Sequence, residues 1–181
     1  MRKIVAGLFI SLDGVVESPE KWHFPYFNDE MGEIVGSQME QSDAMLLGRQ
    51  TYQEFAAHWP HQDPADNPFA DRMNNTPKYV VTNTLDTAEW QNTTIIKGDV
   101  VAGLTELKER PGKDIGITGS AALVRSLLAD GLLDELRLLV HPIVVGSGKR
   151  LFEEGTGQIP LQLADSRTLS TGVLSLTYGR A

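Results

Sequence analysis

The chain contains no cysteine. Disulfides, thiolate nucleophiles and cysteine-ligated zinc or iron–sulfur centres are therefore excluded, and a cytoplasmic setting fits. Positive charge is scarce too. Lys and Arg number 16 against 24 Asp and Glu, a formal net charge of -8, so non-specific binding to nucleic acid or an anionic membrane is not expected. Long hydrophobic runs are missing: the apolar stretch after Met1, Arg2 and Lys3 is broken at Ser11 and Asp13, too soon for a signal peptide or a membrane span. No G-x-S-x-G elbow is present for serine chemistry. No G-x-G-x-x-G follows the first apolar run. His58 and His61 flank Pro60 with no carboxylate to complete a ligand set, so no metal site is expected.

What is there organises around residues 114–128, Asp-Ile-Gly-Ile-Thr-Gly-Ser-Ala-Ala-Leu-Val-Arg-Ser-Leu-Leu. A short apolar run reads as a buried strand. After Gly119 and Ser120, the residues Ala121, Ala122, Leu123, Leu127 and Leu128 recur at helical spacing. Such a strand-to-helix turn aims unpaired backbone N–H groups at one spot, where an anion such as a nucleotide phosphate binds. The plainer reading is that Ser120 merely caps the helix. A second junction of the same kind, Gly48-Arg49-Gln50-Thr51-Tyr52, follows a short strand expected at residues 43–47 and carries an arginine in the turn.

Strands are also expected at residues 3–10, 78–82, 94–97, 136–145, 161–163 and 173–178, and helices at 29–41, 51–58 and 100–109. Residues 17–27 hold two prolines and four aromatics. They suggest an ordered loop whose rings pack it down or cover a ligand. Pro142 lies inside the longest apolar run and argues for a bend or an edge position there. Strands alternate with helices and then cluster at the end. The pattern predicts one α/β domain over residues 1–181, a three-layer fold whose central sheet is mostly parallel with an antiparallel C-terminal edge. In such sheets ligands sit beyond the carboxyl ends of the strands. The turns at Gly48, at Thr82 and Asn83, and at Gly119 are all expected there.

Ser11-Leu12-Asp13-Gly14, Gly48 to Tyr52, Thr118-Gly119-Ser120 with its helix, and Asp134-Glu135-Leu136 followed by Gly146-Ser147-Gly148-Lys149-Arg150-Leu151-Phe152 together resemble the reductase domain of the bifunctional riboflavin-biosynthesis deaminase-reductase. That domain shares the dihydrofolate reductase fold. The resemblance spans essentially the whole chain. It implies an NADPH-dependent reductase that passes hydride to a small heterocyclic substrate, in the manner of 5-amino-6-(5-phosphoribosylamino)uracil reductase.

Carried over by position, Arg49 would face the adenosine 2′-phosphate and Thr51 would bind the diphosphate. Thr82 and Asn83 would hold the adenosine ribose phosphate. Gly119, Ser120, Ala121 and Leu123 would form the phosphate loop, with Gly-Ser where dihydrofolate reductases have Gly-Gly. Residues Ser11 to Gly14 would form the flexible loop over the nicotinamide.

The chain also departs from the pattern. It has no deaminase half. After Gly14 it continues Val-Val-Glu-Ser-Pro, which argues against a ribosylaminouracil phosphate substrate. The place of the dihydrofolate reductase carboxylate falls at Gly32, which argues against folate reduction. Hydride addition to C=N needs a proton as well; Asp13, Glu30 and Glu33 are the candidate donors, alongside water. Lys149 and Arg150 either meet a substrate anion or lie in a solvated turn. His141, in an apolar run, reads as a satisfied core or interface residue. An apolar edge at residues 136–145 would need covering, which suggests a homodimer. The rival readings are dihydrofolate reductase activity, a non-catalytic NADPH-binding module, and an interaction protein without a cofactor.

Overall fold

The structure is a computed structural model describing all of residues 1–181. Strand β1, Ile4–Ser11, is buried on both faces. Ile4, Ala6, Leu8 and Ile10 point into the largest core cluster. Phe9 points the other way, against a cluster of Met31, Leu139, Leu169 and Val173. Alternation of this kind, apolar on both faces, marks a central strand of a parallel sheet.

The remaining elements follow in order. They are α1 (Asp29–Glu40), β2 (Ser42–Gly48), α2 (Arg49–His58), α3 (Phe69–Asn75), β3 (Lys78–Val81), β4 (Thr93–Ile96), α4 (Val100–Glu109), β5 (Asp114–Ile117), α5 (Ala121–Ala129), β6 (Glu135–His141), β7 (Leu161–Thr168) and β8 (Leu174–Arg180). They make one eight-stranded sheet in the order β4-β3-β2-β5-β1-β6-β8-β7. The first six strands of that order run parallel. The last two pair antiparallel. The expected three-layer α/β architecture is therefore present. Leu104 of α4 and Leu123, Val124 and Leu127 of α5 cover one face. Met31 of α1, Tyr52 of α2 and Met73 of α3 cover the other. No helix is long and apolar enough to cross a membrane.

The C-terminal third departs from the sequence reading. β6 is not an edge: β1 pairs with it on one side and β8 on the other. Its apolar residues are buried within the sheet, so the argument for a homodimer sealed along 136–145 loses its premise. The strand stops at His141, one residue before Pro142, which cannot donate to a ladder. β7 is longer than expected. Its mostly exposed residues, Asp165, Ser166 and Arg167 among them, belong to an outermost strand, so no buried face imposes an apolar alternation on them. In residues 58–75, expected as mostly loop with one short helix, the helix is α3, docked through Ala70 and Met73.

A buried lysine closes the far end of α3. Lys78 is fully buried, and its ammonium donates to the carbonyls of Met73, Asn74 and Thr76, each at 2.9 Å. It also lies 4.1 Å over the Trp90 ring. Burial pushes its pKa down to about 8, while three acceptors and the aromatic face favour the charged form.

Candidate functional site

Because β1 to β6 run parallel, their carboxyl ends share one rim. Ser11, Gly48, the Thr82–Asn83 turn, Gly119 and His141 all lie at strand ends on that rim. The two glycine corners touch. The Gly48 N–H donates to Ser120 Oγ at 2.9 Å. A Cβ on Gly119 would sit 3.1 Å from Thr51 Cγ2 and 3.3 Å from its Oγ1, and Gly119 has φ +84. Only glycine meets both conditions, the close approach and the left-handed backbone.

The helices that leave these corners differ from the others. α1 and α4 are capped by side chains: Asn28 accepts from the Met31 N–H and Asp99 from the Ala102 N–H. α2 and α5 have no side-chain cap. The hydroxyl of Ser120, expected to cap α5 or to donate to a ligand, is instead the acceptor that joins the two turns. The first amides of α2 and α5, Thr51 and Ala121 to Leu123 among them, therefore remain available to an anion. The side chain of Leu123 is committed to the core, so only its main chain is free to serve a ligand. Arg49 is exposed, with Nη1 on Gln53 Oε1 at 2.9 Å. Lys149 Nζ reaches Gln50 Oε1 at 3.1 Å, so a second cation stands at the start of α2.

At the end of β3, Thr82 Oγ1 accepts from the Thr84 and Leu85 amides. Asn83 Oδ1 accepts from the Gly98 N–H at 3.0 Å. Both side chains shape the turn, and the Asn83 amide nitrogen stays free for a ligand oxygen.

The loop after β1 is tied to the loop after β6. Asp13 accepts from Ser11 Oγ at 2.5 Å and from the Val145 and Gly146 amides at 3.1 and 2.9 Å. Arg150 stands 3.8 Å away, its Nε on the Asp13 carbonyl. Gly14 turns the chain at φ +84. The Ser11 hydroxyl, followed by the two amides, lowers the Asp13 pKa to about 2. A carboxyl held there has no proton to give at neutral pH. Glu30 is also held below the usual carboxylate range, first by the Ser170 hydroxyl at 2.5 Å and then by the Ser170 amide. It anchors α1 to the β7–β8 turn, with Arg167 at 3.2 Å. Glu33 is exposed on α1. The three carboxylates are not brought together.

Sequence reasoning missed a histidine–aromatic box on the α1 side of the same rim. His141 is fully buried, as expected, but only half satisfied. Nδ1 lies 2.8 Å from the Leu139 carbonyl, while Nε2 has no partner. His23 Nδ1 is likewise buried without a partner. The only sequence signal was the aromatic density of residues 17–27; nothing there announced that His141, more than a hundred residues away, would join it. No group of three or more His, Asp or Glu side chains stands where it could hold a metal ion.

With this geometry in hand, the chain can be set beside known proteins. A family model described as the RibD C-terminal domain matches residues 2–175. The uncharacterized protein YyaP of Bacillus subtilis (strain 168) is 31% identical over 180 residues, covering 98% of this chain and 94% of YyaP. A solved structure from Shewanella sp. PV-4 superposes with a TM-score of 0.76 at 20% identity, covering 99% of both chains. Dihydrofolate reductase from Enterococcus faecalis, complexed with NADP(H) and RAB-propyl, superposes with a TM-score of 0.64 at 16% identity, covering 98% of this chain and 96% of that one. The fold is thus that of the dihydrofolate reductase-like reductases.

Proposed function

The chain belongs to the RibD C-terminal domain family, and we propose that it is an NADPH-dependent reductase acting on a small heterocyclic substrate. The observation that carries this reading is the contact between the corners at Gly48 and Gly119. It leaves two uncapped helix N-termini side by side on one rim, an arrangement suited to a diphosphate. Each N-terminus favours an anion by roughly 0.3–1 kcal/mol, up to about 2 when partly buried. The Enterococcus faecalis reductase of the same fold is itself an NADP(H) complex, which supports the choice of cofactor.

In this reading the amides of α2 and α5 hold the diphosphate, and the backbones of Ala121 and Leu123 are part of that cradle. Arg49 takes the adenosine 2′-phosphate. Thr82 and Asn83 close the adenosine end, and the loop from Ser11 to Gly14 covers the nicotinamide. NADPH, when bound, supplies the hydride. The protein supplies orientation and an environment without bulk water. Asp13 ties the covering loop to residues 145 and 146, and Glu30 ties α1 to the β7–β8 turn. Neither donates the proton, which in this reading comes from water.

The experiment is a titration with NADPH followed by turnover against a panel of heterocyclic imines and carbonyls, read as loss of the reduced-nicotinamide absorbance. Tight NADPH binding with turnover is expected. Binding without hydride loss across the panel would identify a nucleotide-binding module instead. Absence of any NADPH effect on the melting temperature, at concentrations well above a micromolar dissociation constant, would overturn the reading.

A further inference from the structure

The histidine–aromatic box carries more information than its packing requires. His141 holds its proton on Nδ1, toward Leu139, so Nε2 is a bare acceptor. The rings of Phe9, Trp22 and His23 stand nearly perpendicular to it, with centroids at 5.7, 5.2 and 6.0 Å. His23 stacks on Phe9 at 4.4 Å and lies tilted against Phe24 at 4.4 Å. Native proteins rarely leave one buried ring nitrogen unpaired, let alone two in facing side chains. Burial lowers the pKa of both rings, which favours the neutral imidazole, able to accept a hydrogen bond at one nitrogen.

The segment that carries His23 is lightly built. It enters through Ser18, a non-glycine residue in left-handed backbone at φ 47. It contains only two single-turn helices, Pro19–Lys21 and Phe24–Tyr26. Phe24 and Phe27, with ring centroids 4.4 and 6.1 Å from that of His23, are 63% and 49% exposed. Aromatic faces beside a buried acceptor make a surface for a flat ring that bears an N–H.

The charges around it are mostly negative. Between residues 17 and 33 stand Glu17, Glu20, Asp29, Glu30 and Glu33 against Lys21 alone. Arg150 and Arg167, which reach this side from other elements, are already paired with Asp13 and Glu30. The cations at the start of α2, Arg49 and Lys149, lie with the proposed cofactor phosphates.

We propose that residues 18–27 form a flap whose His23, with the exposed rings of Phe24 and Phe27 next to it, receives the substrate as an uncharged, flat, N–H-bearing ring without a phosphate group. This rests on the reductase reading for its role, but it makes a separate claim about what binds. The substrate then differs from a phosphoribosylated pyrimidine: its ring donates N–H to the His23 nitrogen, and the acidic surround disfavours a phosphate.

The test uses NADP⁺-saturated protein with isotope-labelled histidine, observed by NMR. The probes are quinazolin-4-one, its 3-methyl derivative, which lacks the ring N–H, and ribose 5-phosphate. Quinazolin-4-one is expected to shift the His23 ring signals at millimolar concentration or below. The methylated ring should bind about tenfold or more weakly, because it cannot supply the hydrogen bond that the buried nitrogen lacks. Ribose 5-phosphate should not compete. His23→Phe should abolish the difference between the two rings. Phe27→Ala, an exposed position, should weaken both severalfold and serves if the first variant does not fold. No shift at His23 with quinazolin-4-one, equal binding of the methylated ring, or displacement by ribose 5-phosphate would each overturn the proposal. Failure of NADP⁺ to bind would instead remove the reductase reading, while leaving the ring titration interpretable.

Discussion

The Gly48 N–H and the Ser120 hydroxyl meet at 2.9 Å across 72 residues of chain. This bond fixes the spacing of α2 and α5 where both present free amides. It also explains why serine stands after Gly119: the hydroxyl is consumed between two turns and does not cap its own helix. In Ser120→Ala the Gly48 amide loses its acceptor. A loss of about 1–3 kcal/mol in stability is expected, measured as a lower urea midpoint at unchanged slope. A several-fold rise in the NADPH dissociation constant should accompany it. Unchanged cofactor affinity in a folded variant would mean that the corner spacing does not matter for binding.

Arg49 is the side chain on which discrimination between cofactors is expected to rest. It is exposed and spends one contact on Gln53. A charge-assisted contact to a phosphate is worth about 1.5–3 kcal/mol. Arg49→Ala should therefore raise the NADPH dissociation constant by about tenfold or more and leave that of NADH nearly unchanged. Parallel titrations with both cofactors decide it, and equal losses would remove Arg49 from this role.

Asp13 makes the pH prediction. Its folded pKa of about 2 lies below the ordinary 3.8, because the ionised form is hydrogen-bonded. The stabilising contribution is complete above the unfolded value and is lost as pH falls through about 4 toward 2. Wild type should lose stability over that window more steeply than Asp13→Asn. The same variant should show no altered ionisation in the pH–rate profile between about 5 and 9, since Asp13 is charged throughout that range. A missing acid or base limb in the variant would restore Asp13 as a proton carrier.

Lys78 is the structural counterpart. Its ammonium satisfies three carbonyls at the end of α3 while lying against Trp90. Lys78→Met keeps much of the volume and leaves those carbonyls unpaired. A loss of about 3 kcal/mol is expected, read by chemical denaturation, with protection of the α3 amides from hydrogen exchange falling first. A variant as stable as wild type would show that water replaces the ammonium without penalty.

The elements most readable from sequence were those with two constraints at once. α4 matches residues 100–109 because its apolar spacing is bounded by Asp99 at the start and by Pro111 and Gly112 beyond the end. α1 has Asn28 as its cap and Met31, Ile34 and Val35 on its buried side. β7 offered neither constraint. Its exposed position in the sheet leaves Asp165 to Arg167 free of any apolar pattern, so its length was hidden. The run at 136–145 was legible as buried strand but not as interior strand, because the residues that flank it in space, Ser11 and Leu174 among them, are distant in sequence.

Local chemistry by itself determined the parallel α/β character, the glycine corners, and the absence of thiol or disulfide chemistry. Strand spacing, turn residues and composition act over a few residues and are written directly in the chain. Only the tertiary structure decided what those corners touch. It joined Gly48 to Ser120, withdrew Asp13 and Glu30 into tethers, and set His23 against His141 with a nitrogen unpaired on each. The reason is physical: a side chain's hydrogen-bonding capacity is a local property, but whether that capacity is spent depends on partners delivered by sheet order, which no short window of sequence contains.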